Sequence, residues 1–70
     1  MKTKNELMNE YKLINKLIMN QLEILHDLDL ITIEYINLLN IYYIIKDLLN
    51  KRNMIKDEMY SNYNEIIIDE

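Results

Sequence analysis

Neither glycine nor proline occurs anywhere in these 70 residues, and that absence narrows the fold more than any residue that is present. Tight hairpin turns rely on glycine, asparagine–glycine pairs or proline to reach their backbone angles. A chain without them is poorly equipped for short strands joined by tight turns, and well suited to helices joined by short polar links. The sequence therefore predicts an all-α fold.

The stretch from Ile31 to Leu49 organises the prediction. At helical spacing Ile31, Tyr35, Leu38, Tyr42, Ile45 and Leu49 alternate steps of four and three, which makes one heptad-like seam. Ile33, Ile41, Ile44 and Leu48 form a second seam with Asn37 set into it, and Ile36, Leu39 and Tyr43 fall on a third side. A helix apolar on three sides needs several neighbours, so it is expected at the centre of an assembly, with some neighbours coming from another chain. Asn37 within its seam reads as a residue that fixes register or oligomeric state.

Upstream, Thr3 and Glu6 have the spacing of a capping box. Leu7, Tyr11, Ile14, Ile18, Leu22 and Leu25 then share one face, and Leu13, Leu17 and Ile24 form a smaller apolar strip beside it. The expected first helix covers residues 4–26. The helical period fails over His26-Asp27-Leu28-Asp29-Leu30, where Asp27 or Asp29 can cap a second helix over residues 30–50. The main seam then runs into Arg52 and Lys56, so Asn50-Lys51-Arg52-Asn53 reads as a second link, with Asn53 capping a third helix over residues 54–67. The prediction is one small three-helix domain spanning residues 1–70. The alternative is an unequal helical hairpin, with one helix running on to about Ile67 along Leu48, Arg52, Ile55 and Met59.

Size and charge narrow the function. A 70-residue domain is marginal alone unless disulfides, metal or oligomerisation support it. With no cysteine and one histidine, oligomerisation or a partner is the support left, and a homodimer is expected. The net charge of −4 speaks against a nonspecific nucleic-acid binder, although an acidic nucleic-acid mimic or a nucleic-acid-associated regulator stays as the second reading. Charge is blocky: residues 1–22 sum to +2, 23–47 to −4, 48–56 to +3 and 57–70 to −5. Lys51, Arg52 and Lys56 are the basic cluster, and they read as cations decorating a helix C-terminus. The most hydrophobic window, residues 28–45, contains Asp29 and Glu34, which makes a membrane span costly. With no leader segment visible, a cytoplasmic protein is expected.

Catalytic chemistry is sparse. One serine, two threonines, one histidine and one arginine do not assemble a nucleophile, a base and oxyanion donors, so no enzyme and no cofactor are expected. Glu23-Ile24-Leu25-His26 has the Glu-x-x-His spacing of di-metal carboxylate bundles, with Glu34 as a further ligand. The competing reading, an exposed pair near a helix C-terminus, is preferred, and no metal is assigned. Six tyrosines and five methionines suit interfaces. The expected function is therefore stoichiometric binding of another protein, as a regulator, adaptor or inhibitor. The AT-rich codon usage implied by so much Ile, Asn, Lys and Tyr fits a phage or plasmid source. The expected partner-binding residues are Ile36, Leu39 and Tyr43, with Leu13, Leu17 and Ile24 as the second strip.

Overall fold

Two helices, each carrying a heptad seam, pair side by side. The computed structural model describes residues 1–27 and 35–68, without the side chains of Tyr35 and Ile36. Helix α1 covers Lys4–Asp27 and helix α2 covers Tyr35–Tyr63. Together they form an antiparallel hairpin with principal extents of 47 × 17 × 16 Å.

Helix α1 begins where its cap signal lies. The Glu6 N–H donates to Thr3 Oγ1 at 3.2 Å, which satisfies one orphan amide of the first turn, and the Leu7 N–H makes the first intrahelical bond to the Thr3 carbonyl at 3.1 Å. The face of α1 turned to α2 is Leu7, Tyr11, Ile14, Ile18, Gln21 and Leu25, all buried or half-buried, with strict alternation of four and three residues. Leu22, expected in that line, is instead exposed. The seam's own period selects position 21, so the more hydrophobic neighbour is left outside.

The expected three-helix bundle is corrected here. Asn50-Lys51-Arg52-Asn53 is continuous helix, and α2 runs unbroken from Tyr35 to Tyr63. Its inward line is Leu38, Ile41, Ile45, Leu48, Arg52, Ile55 and Met59, each buried or half-buried. The charge that suggested a break is accommodated within this line. Arg52 lays its stem along the interface and donates from Nη1 to Asn15 Oδ1 of α1 at 3.0 Å, so a cation occupies a seam position with its Nη1 paired across the interface. Asn37, expected inside a seam, is exposed. The polar pair that ties one helix to the other in register is Asn15–Arg52. The expected first link, the capping role of Asp29 and the expected start at Leu30 lie outside the described residues, whereas Asp27 is the last residue of α1.

The end of α2 also differs from the expected 67. Asn64 adopts a left-handed backbone with φ 53°. Its N–H donates to the Tyr60 carbonyl at 3.0 Å, and the Glu65 N–H donates to the Met59 carbonyl at 3.2 Å. This is an αL C-cap, a position glycine usually fills and asparagine tolerates. Asn64→Gly should therefore stabilise slightly or leave the midpoint unchanged, whereas Asn64→Val should cost about 1–2 kcal/mol. Thermal melts of the two variants check this, and equal midpoints would contradict the assigned cap.

The best-buried core lies at the terminal end of the hairpin. Leu7, Tyr11, Ile55 and Met59 form it, and Met8, Ile14, Tyr63 and Ile67 pack against it. Polar contacts surround it. The Tyr63 hydroxyl donates to the Lys2 carbonyl, Lys4 pairs with Glu65, and Lys2 pairs with Glu10 at 2.8 Å. The hydrogen bond that Lys2 donates to the Glu10 carboxylate holds its ammonium above the ordinary pKa of 10.5. That pair favours the fold while Lys2 is charged, and its contribution disappears as pH rises through the raised value.

Candidate functional site

At the other end of the hairpin the two helices do not close over one another. Leu25 of α1 and Leu38, Ile41, Tyr42, Ile45 and Leu49 of α2 line an apolar groove of about 340 Å³, with Lys46 at its edge. Its origin is legible in the spacing. Leu38, Tyr42, Ile45 and Leu49 belong to the line first read as the central seam, but a different line faces α1. Leu38 and Ile45 belong to both lines. Helix α2 is thus wide enough in apolar surface for two neighbours and has one. Tyr42 projects at the groove with 57% of its surface exposed. Its ring meets that of Tyr43 edge-on, with centroids 5.7 Å apart and planes at 64°, a favourable aromatic geometry.

The residues expected to bind a partner fall elsewhere. Leu13, Leu17 and Ile24 are all exposed along a flank of α1, about 100° around from its seam at 3.6 residues per turn. With Asn20 between them they repeat the four–three–four spacing of the buried seam. Tyr43 is exposed and Leu39 half-buried, on the side of α2 turned away from α1. The Ile36 side chain lies outside the described residues. The two expected strips are therefore separate patches on different helices, and neither supplies the groove. Sequence reasoning missed the groove because it assigned the Tyr42 line to the interior; the signal was the second apolar line sharing Leu38 and Ile45.

The charged candidates are rearranged as well. Lys51, Arg52 and Lys56 do not decorate a helix end. They lie mid-way along α2, where Lys51 pairs with Asp47 one turn away at 3.0 Å and Arg52 with Asn15. Glu23 and His26 are both exposed in the last turns of α1. Among the described residues no group of three or more His, Asp or Glu is placed to hold a metal ion. Among the same residues no helix is long and apolar enough to cross a membrane.

Compared with protein-family models, curated proteins and solved structures, the chain matches none.

Proposed function

We propose that this chain is a small non-enzymatic helical module that acts by binding another protein, as a regulator, adaptor or stoichiometric inhibitor. One observation carries the reading. Half of the sequence is hydrophobic, yet among the described residues only Leu7, Tyr11, Ile18, Ile55 and Met59 are buried hydrophobics. Two helices cannot cover the apolar surface this chain carries, and contiguous uncovered apolar surface is characteristic of interfaces.

The α1 flank suits an amphipathic helix laid alongside. Leu13, Leu17 and Ile24 supply anchors at heptad spacing, and Asn20 within that line supplies a polar point that discriminates between partners. Leu39 and Tyr43 form the second patch. Truncating a central anchor such as Leu17 to alanine should weaken binding about tenfold, the equivalent of about 1.4 kcal/mol.

Site-specific photo-crosslinking in the source cell tests the reading. A photoreactive residue at Leu13, Leu17 or Tyr43 should give a discrete adduct with a second protein, and one at Asn9 should not. If all four positions give no adduct with another protein, the reading fails. Retardation of duplex DNA at low salt, abolished by Lys51→Glu together with Arg52→Glu, would replace it with the nucleic-acid reading.

A further inference from the structure

We propose that the Leu13, Leu17 and Ile24 strip of α1 seats a second copy of this chain, with the two α1 helices antiparallel about a two-fold axis. The pairing is argued from α1 alone. Because it uses Leu17, it excludes a partner helix from the same strip, and that consequence rests on the function proposed above.

The strip is placed for such a contact. It lies about 100° around α1 from the seam that meets α2, so another helix can lie along it while the hairpin stays closed. Four exposed charges stand beside it on the side away from α2. Lys12 and Lys16 come first along the chain, and Glu23 and Asp27 follow. Among the described residues the ion pairs of the hairpin join Lys2 with Glu10, Lys4 with Glu65 and Lys51 with Asp47, and none of these four takes part in them. A row of two cations followed by two acids becomes its own complement when it is reversed. A second copy of α1 is therefore a matching neighbour.

The apolar line fixes the register independently. In an antiparallel pair with interlocking strips, Leu13 of one copy lies level with Ile24 of the other, and Leu17 with Asn20. The two-fold axis then crosses α1 between Ile18 and Met19, and the interface is isologous. In that register Lys16 comes beside Glu23 of the second copy, twice by symmetry, and Lys12 comes level with Asp27. Sliding the helices by one heptad sets Lys16 against Lys16 in one direction and Glu23 against Glu23 in the other. A parallel pair gathers the cations of both copies at one level and the acids at another. One arrangement thus satisfies the apolar line and the charges together, and it selects both the occupant and its direction. Asn20 opposite Leu17 costs affinity, and three apolar anchors per copy make a small interface. The pair is accordingly weak and exchangeable, as a strip shared with a partner requires.

Sedimentation equilibrium of the full chain, with circular dichroism on the same samples, tests the pairing through exposed charges. Glu23→Lys and Lys16→Glu, made separately, each turn both cross-pairs into like-charge contacts and should raise the dimer dissociation constant about tenfold. Combining Lys16→Glu with Glu23→Lys restores opposite charges and should return the constant to within about threefold of the parent. Leu17→Asp should abolish dimerisation with helix content retained, whereas Tyr42→Asp, on the other side of the hairpin, should leave it intact. A combined variant as weak as the single ones overturns the proposal. So does a parent chain that stays monomeric up to several hundred micromolar. The chain contains no cysteine, so one introduced thiol reads the direction. Spin labels on Asn5→Cys should lie about 40 Å apart in the antiparallel pair, at about 1.5 Å of rise per residue. A separation within about 20 Å means a parallel pair and overturns the proposal. A monomeric chain that still gives an adduct with another protein from Leu17 sinks the pairing and leaves the binding function standing. A dimer with the charge rescue and no adduct with another protein does the reverse.

Discussion

Replacing Met59 by alanine is expected to lower the free energy of unfolding by about 2–5 kcal/mol. Met59 is fully buried, at the centre of the cluster formed with Leu7, Tyr11 and Ile55. Truncating it removes the Cγ methylene, the sulfur and the terminal methyl from contacts drawn from both helices. A hairpin with so few buried side chains sits near the low end of domain stabilities, so the loss takes most of what holds it folded. The contrast is Met54→Ala, about one and a half turns upstream in the same helix and exposed, which should shift stability by no more than about 0.5 kcal/mol. Urea unfolding followed by circular dichroism measures both. Equal midpoints for the two variants would mean that the core is not where Met59 places it.

Proline in place of Asn53 is expected to cost about 3 kcal/mol or more, enough to leave little folded helix at 25 °C. Asn53 is exposed, so no side-chain packing is lost. The penalty arises from the backbone alone: the amide that bonds the preceding turn is removed, and the ring clashes with the carbonyl of Leu49. Asn53→Ala at the same position should be neutral or slightly stabilising, since alanine is the better helix former. This pair separates the hairpin from the three-helix arrangement. In a link at residues 50–53, proline beside a helix start would be tolerated. A melting temperature for Asn53→Pro within a few degrees of the parent would restore the broken helix.

How much of this was legible in the sequence depended on whether the deciding interaction was local. The start of α1 was, because Thr3 Oγ1 accepts from the Glu6 amide only three residues on. Its seam was nearly so, and the error at Leu22 came from ranking hydrophobicity above the strict alternation that brings Gln21 to the interface. The continuity of α2 was not legible locally. Asn-Lys-Arg-Asn has the composition of a link, and the hydrogen bond that holds a cation in the seam comes from the Asn15 side chain, 37 positions away from Arg52. The stop at Asn64 was readable, since asparagine is the residue that substitutes for glycine in a left-handed cap. Its signal was outweighed by the isoleucines that follow. For the interaction surface, the apolar lines themselves were visible. Which of them faces α1 was not, because spacing gives the angle of each line and not the side from which the neighbour approaches.

The hairpin register underlies the groove, and it depends on α2 being one helix through Asn50–Asn53. Residue-resolved amide hydrogen exchange at neutral pH tests that directly. The structure predicts protection without interruption from about Ile41 to Tyr60, strongest around Ile55 and Met59, with Asn50, Lys51, Arg52 and Asn53 protected like their neighbours. Fast exchange at those four amides, between two protected segments, would contradict the account and return the chain to three helices.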